Sequence, residues 1–438
     1  MFTVSLRPRR NAWHLSVRWA PVLAAFATTV GLQVQAQQVL TLDQALQLAQ
    51  QRSQQLTAQD AGAAAARAMA IAAGQLPDPT LKAGITDLPV GGPDRYNAKM
   101  TTRTVAVMQE LTRGDKLRAR SARFDREAET AEAARALALA NLRRDTASAW
   151  LDRYFQERLL EVLRGQRAEA GLQIDAADAA YRGGRGAQAD AFAARSMVAL
   201  IDDRIRQAEL QIATAKTRLA RWVGNPAHQP LGQPPGLVVV GLASGNLESR
   251  LARHPEIALM LSQEAMARAE AGIAQSNQRP DWSVELMFSQ RGQGDSNMVS
   301  VNVSIPLQLD RRNRQDRELA AKLALVEQVR AQREEATRER LAEARNWLQE
   351  WHSGRDRLAH YDSSLLPLAG ERTHAALAAY RGGAGPLGAV LEARRMEIDT
   401  RIDRLRLEMD TAALWARLEF LIPSEQETTP PARAVTEK

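Results

Sequence analysis

Tyr181-Arg-Gly-Gly-Arg-Gly186 decides the reading of this chain, because Tyr380-Arg-Gly-Gly-Ala-Gly385 repeats it in the second half. Each copy interrupts a long run rich in Ala, Leu and Arg. Each is followed by another such run: Asp190-Ala-Phe-Ala-Ala-Arg195 after the first, Ala389-Val-Leu-Glu-Ala-Arg394 after the second. Glycine costs roughly 1 kcal/mol relative to alanine inside a helix, so glycines at this density break one. Each copy therefore reads as the tight tip of an antiparallel helical hairpin. A single tip would be an ordinary turn, whereas two at matching places in a duplicated chain make the tip part of a symmetric design.

The helical pattern before the first tip reaches back to Gly114 and continues to about Ala180. At 1.5 Å per residue that is about 100 Å of helix, too long for a compact domain. The stretch Ala131 to Ala140 is rich in alanine (Ala131, Ala133, Ala134, Ala136, Ala138 and Ala140), which lets a neighbouring helix approach closely. After the tip, Ile201, Ile205, Ala208, Ile212, Ala215, Leu219 and Trp222 recur at alternating spacings of four and three, a coiled-coil seam. Ile398, Ile402, Leu405, Met409, Ala412 and Ala416 repeat that spacing beyond the second tip, and a charged helix from about Arg311 leads into it.

Two extended segments precede each long helix. Leu81, Ala83 and Ile85 alternate in the first, and Met100 to Leu111 is rich in Thr and Val. In the second half Trp282, Val284, Leu286 and Phe288 alternate with Ser283, Glu285 and Ser289, apart from Met287. Val299, Val301, Val303 and Ile305 then alternate with Ser300, Asn302 and Ser304 until Pro306 ends the alternation. A helix opens each half: Thr41 is a candidate N-cap for a run to about Gly74, which Leu76-Pro-Asp-Pro79 stops, and Arg253-His-Pro-Glu-Ile257 starts its counterpart.

The chain therefore divides as a signal peptide over 1–36, a first repeat over 37–222 with strands about 80–88 and 99–111, and a Pro/Gly-rich linker over 223–245. A second repeat over 246–422 has strands about 281–290 and 297–309, and a disordered tail follows over 423–438. The signal assignment rests on a basic stretch, the apolar Ala20 to Val30 and the small-residue pattern Val34-Gln-Ala36. Four of the seven net positive charges, Arg7, Arg9, Arg10 and Arg18, belong to that leader. The remainder is close to neutral, which argues against nucleic acid as a partner. There is no cysteine, so disulfides and thiolate metal sites are excluded. No His-Glu-x-x-His, Gly-x-Ser-x-Gly or phosphate-binding loop occurs, and the histidines do not cluster, so no catalytic site, resident metal or cofactor is expected. No later stretch could cross a bilayer as a helix, so a membrane segment would have to be built of strands. A barrel needs about eight strands or more, so four strands with one apolar and one polar face must be pooled from several chains.

The duplicated helix–hairpin–helix plan over residues 41–422, with its Tyr-x-Gly-Gly tips and Val303-Ser-Ile-Pro-Leu307 running into Arg311-Arg312-Asn313, resembles the TolC-type outer-membrane efflux channels. Pro77-Asp-Pro79 and the tips resemble its heavy-metal branch, the cobalt-zinc-cadmium and copper/silver components. The resemblance implies a mainly α fold with a small β part. It implies a homotrimer whose helices form a periplasmic tunnel under a twelve-stranded barrel in the outer membrane of a Gram-negative bacterium. It further implies docking to a periplasmic adaptor and a resistance-nodulation-division pump of the inner membrane, and passive export, with heavy-metal cations as cargo; drugs, solvents or other small molecules are the alternative. A periplasmic coiled-coil scaffold or adaptor is the competing reading, and the amphipathic strands argue against it.

On this reading Trp282, Val284, Leu286 and Phe288 face lipid. Tyr181, Arg182, Gly183, Gly184, Arg185, Gly186, Tyr380, Arg381, Gly382, Gly383 and Gly385 form the adaptor-docking periplasmic mouth. Arg182, Arg381, Asp178 and Asp190 are the gate candidates, with bridges from Arg182, Arg185 or Arg381 to Asp178 or Asp190. The second repeat has Ala389 where the first has Asp190, so an acidic ring would come from one repeat alone. The absence of Cys removes the lipid anchor of many relatives and leaves insertion to the barrel.

Overall fold

The computed structural model describes residues 39–93, 96, 101–184, 186–237, 247–291 and 295–421. The leader, the tail from 423, Arg185, residues 238–245 of the linker and the start of the second expected strand lie outside the described residues. Val39 onward forms one compact unit.

Helix α1 (Leu42–Arg52) starts at a capping box: Thr41 Oγ1 accepts the Gln44 N–H at 3.3 Å, and Gln44 Oε1 accepts the Thr41 N–H at 3.1 Å. The single opening helix expected from the sequence is in fact two, because Ser53 is extended at ψ 104° and its Oγ accepts the Leu56 N–H, capping α2 (Gln54–Ala73). Strands β1 (Thr80–Thr86) and β2 (Thr102–Leu111) follow, then α3 (Gly114–Arg182), α4 (Gln188–Val223) and a 3₁₀ turn over Asn225–His228. The second repeat comprises the short α5 (Leu247–Leu251), α6 (Pro255–Ser276), β3 (Trp282–Gln290), β4 (Met298–Ser304), α7 (Gln315–His360), α8 (Leu366–Arg381) and α9 (Leu387–Glu419). β4 stops at Ser304 rather than near 309, since Pro306 has no N–H to give a ladder.

Helix α3 runs unbroken for 69 residues. Its counterpart does not: a π turn over Tyr361–Leu365 joins α7 to α8. Pro367 lies just beyond, and its missing N–H and bulky ring disrupt the regular ladder there, which the wider π turn absorbs. Asp362 in this turn is held from α9 by Arg404, at 2.9 and 3.2 Å.

The helices pack along the expected seams. Ile201, Ala208, Ile212, Ala215 and Leu219 are buried on α4, as are Ile398, Ile402, Ala412 and Ala416 on α9. Ala63, Ala66 and Ala70 of α2 are buried where it lies on α3, which buries Ala128 and Ala138. The main core joins both repeats around Trp150, Trp351 and Trp415. It also fixes the first part of the linker. Leu40 bridges Leu231, Trp150 Nε1 donates to the Leu40 carbonyl at 3.0 Å, and buried Arg153 donates to the carbonyls of Ala227 (2.6 Å) and Gln229 (2.8 Å). Between α6 and α7, the buried Glu264 carboxylate accepts from Arg333 at 2.8 Å and pairs with Arg268. Burial would raise its pKa, but the two guanidinium groups outweigh that and hold it below the ordinary glutamate value.

His254 is buried and caps α6, its Nδ1 accepting the Glu256 N–H at 3.2 Å, which requires a neutral ring. Burial pushes its pKa below the ordinary value, against the opposing charge of Glu256. The unfolded chain therefore takes up a proton that the folded chain refuses. The associated stability is fully present above the unfolded pKa of about 6.5 and is lost progressively as pH falls below it. Thermal melting should thus show a lower midpoint at pH 5.5 than at pH 7.5, and His254→Asn, which caps without titrating, should flatten that slope. An unchanged slope in the variant would remove His254 as its source.

Candidate functional site: an apolar sheet face and paired hairpin tips

The four strands form one antiparallel sheet in the order β1-β2-β3-β4. The register places Leu81, Val107, Leu286 and Val301 in one row, and Val105, Phe288 and Val299 in the next. These side chains share one face, and that face is bare: Leu81 is 70%, Leu286 55% and Val301 66% exposed. Trp282 and Phe288 are exposed on the same face and Val284 is half-buried, so the four residues expected to face lipid do share one surface. Contiguous exposed apolar surface on this scale marks a contact with a partner or a membrane.

The other face is mixed, with Ala106, Met108 and Met287 among the polar Lys82, Thr104, Glu285, Ser300 and Asn302. Lys82 Nζ meets Glu285 Oε2 at 2.5 Å, and Asn302 Nδ2 donates to Glu285 Oε1 at 3.3 Å, so one carboxylate ties β1, β3 and β4 together across the sheet. At the helix end of the sheet, Asp281 accepts from Lys116 Nζ at 2.6 Å and from the Arg113 N–H at 3.2 Å, fixing the start of α3 beside the start of β3. Both outer strands, β1 and β4, are paired on one side only. An open edge with a bare apolar face is a template for pairing with another strand.

The tips lie at the opposite ends of the long helices. Gly183 and Gly382 close the helices in ordinary backbone conformations, and Gly184 (φ 67°) and Gly383 (φ 74°) turn the chain in the left-handed region. Gly186 then passes so close that a Cβ would lie 3.0 Å from the Ala180 Cβ, and at Gly385 3.3 Å from that of Ala379. The two tips pack together through Ala177, Ala191, Ala194, Leu387, Val390 and Leu391, with Tyr380 against this cluster and Tyr181 exposed.

The gate candidates are arranged within the protomer as follows. Arg182 Nε donates to the Asp178 carbonyl at 3.2 Å rather than to a carboxylate. The Asp178 carboxylate is held by both contacts of Arg195, at 3.0 and 3.1 Å, a residue the sequence reading left out. Asp190 Oδ2 accepts the Ala187 N–H at 3.4 Å and so caps its own helix. Arg381 is exposed. The two hairpins are linked instead by Arg204 to Asp399 at 2.8 Å and by Arg394 to Glu169 at 2.9 Å. Among the described residues no group of three His, Asp or Glu is placed to hold a metal ion, and no helix is long and apolar enough to cross a membrane.

No family model matches the sequence, and no curated protein matches it significantly. Solved structures do. The chain is similar to CusC, studied for folding and transmembrane channel formation, with a TM-score of 0.74 at 16% identity over 87% of this chain and 92% of that one. It is similar to the outer membrane protein VceC from Vibrio cholerae, with a TM-score of 0.72 at 19% identity over 87% and 95% of the two chains. It is likewise similar to the open state of the Neisseria gonorrhoeae MtrE outer membrane channel, at 0.73 and 16% over 87% and 88%. The fold is that of the outer-membrane channels. The mainly α architecture with a small sheet, expected from the duplicated helix–strand–strand–helix plan and its family resemblance, is the observed one.

Proposed function

We propose that this chain is one protomer of a trimeric export duct in the outer membrane of a Gram-negative bacterium. The observation that carries this reading is the sheet: two unpaired edges and a bare apolar face, set at the end of a bundle whose longest helix, α3, is about 100 Å long. Three copies would close twelve strands into a barrel with Trp282, Val284, Leu286 and Phe288 toward lipid and Lys82, Glu285 and Asn302 toward the lumen. The long hairpins then form the periplasmic tunnel, and the tips around Tyr181–Gly186 and Tyr380–Gly385 form the mouth that meets a periplasmic adaptor and, through it, an inner-membrane resistance-nodulation-division pump. Such a duct performs no chemistry; it supplies a polar path. Heavy-metal cations are the cargo favoured by Pro77-Asp-Pro79 and the tip sequences.

At the mouth, Arg182 and Arg381 are exposed, leaving the Arg381 guanidinium and the terminal nitrogens of Arg182, whose Nε holds the Asp178 carbonyl, available to neighbouring protomers. Contacts of this kind are worth about 0–1 kcal/mol each, weak enough for a docking partner to open. Purified protein in planar bilayers should give discrete conductance steps, and Arg182→Ala combined with Arg381→Ala should raise the step size. Absence of steps would overturn the duct; steps of unchanged size would move the constriction away from the tips.

A further inference from the structure

The apolar alternation of β4 does not end with the strand. Val299, Val301 and Val303 are followed at the same parity by Ile305, Leu307 and Leu309, the last two 79% and 91% exposed. Directly after them comes Asp310-Arg-Arg-Asn-Arg-Gln-Asp-Arg317. The acids of this turn are already engaged: Asp310 accepts from Asn313 Nδ2 at 3.0 and 3.2 Å, and Asp316 accepts from Arg311 at 3.1 Å and Gln278 at 2.9 Å. Arg312, Arg314 and Arg317 are exposed, and among the described residues none of them meets a carboxylate. Arg279 is brought alongside, because Gln308 donates to the Asn277 carbonyl at 2.9 Å and Gln278 reaches Asp316; it too is exposed and has no acidic partner among the described residues. The equivalent junction of the first repeat is neutralised differently, by Arg113 with Asp115 and Lys116 with Asp281.

Four exposed arginines thus sit in one junction, where an exposed apolar row stops. If the row lies in hydrocarbon, this point lies at the headgroups. A guanidinium presents a planar fork that matches phosphate oxygens, and basic residues next to a bilayer are attracted to anionic lipid. We propose that Arg279, Arg312, Arg314 and Arg317 form a binding site for the headgroup of an anionic phospholipid, which sets the depth of the sheet in the bilayer. This rests on the membrane-spanning reading of the sheet.

The test is native mass spectrometry of the full-length oligomer released from detergent in the presence of equal amounts of phosphatidylglycerol and phosphatidylethanolamine. The native sequence should retain phosphatidylglycerol preferentially. The combined variant R279Q/R312Q/R314Q/R317Q should lose that preference by about tenfold or more, and the single changes Arg312→Gln and Arg317→Gln, at exposed positions that leave the fold intact, should each lose part of it. Equal retention of the two lipids by the native sequence, or an undiminished preference in the combined variant, would overturn the site. Insertion into vesicles made with and without phosphatidylglycerol separates the two layers of the argument. Failure to enter either overturns the membrane reading together with the site, whereas entry into both with no lipid preference overturns the site alone.

Discussion

Leu286→Arg should abolish recovery of the protein as an assembled outer-membrane species, while Ser300→Arg should leave it largely intact. Leu286 sits mid-strand in β3 between Val107 and Val301 on the bare apolar face, and Ser300 lies on the polar face opposite Met287. An arginine on the lipid side at mid-bilayer costs about 2–4 kcal/mol. A trimer carries the penalty in every protomer, so the combined effect corresponds to several powers of ten in assembly. The same charge on the polar side meets water and the Lys82–Glu285–Asn302 network, where it can be accommodated. The readout is the yield of detergent-resistant oligomer in the outer-membrane fraction. The opposite ranking of the two variants would mean that the polar face, not the apolar one, looks outward.

The largest effect on stability is expected at Arg153. Its side chain is buried, with three hydrogen-bond partners: the carbonyls of Ala227 and Gln229 and the carboxylate of Glu157, the last at 2.9 Å. Arg153→Ala leaves the carbonyls of Ala227 and Gln229 without their donors. Each buried carbonyl left without a donor costs about 1–3 kcal/mol, so the two together cost about 2–6 kcal/mol. The loss should also free the Asn225–Gly232 connection from the core. Lysine at this position has no planar fork and cannot reach both carbonyls, so Arg153→Lys should recover less than half of the loss. Denaturant unfolding that places Arg153→Ala within about 1 kcal/mol of the native sequence would show that the linker is held by Leu40, Leu231 and the packing around Ala227 instead.

Much of this architecture was legible in the sequence because it repeats and because its periods are clean. The glycine tips, the seams of α4 and α9 and the alternation in β3 and β4 each follow from a spacing that local physics enforces. Helix breaks were less legible. Ser53 looks like any polar residue within a helical run, and its capping role is apparent only once the chain turns there. The π turn before Pro367 is a compromise between a proline and an α9 helix that holds Asp362 through Arg404, two residues far apart in sequence. Long-range polar pairing was hidden for the same reason: nothing in the spacing of Asp178 and Arg195, or of Gln278 and Asp316, says which carboxylates are already occupied. The long helix α3 also conceals its partners, since it meets α2, α4, α6 and α9 along its length and presents no single apolar stripe.

The proposed duct requires that the open edges β1 and β4 of one copy pair with those of others to close a ring of three. The native chain has no cysteine, so disulfide cross-linking can be read without background. Leu81→Cys on β1 should be combined in turn with Val299→Cys, Val301→Cys and Val303→Cys on β4, all on the same face. With one correct register, oxidation of the membrane-embedded protein should yield covalent dimers and trimers and no larger species, because the ring is closed. Protein that remains monomeric in all three pairings, or that extends into a ladder beyond the trimer, would contradict the barrel.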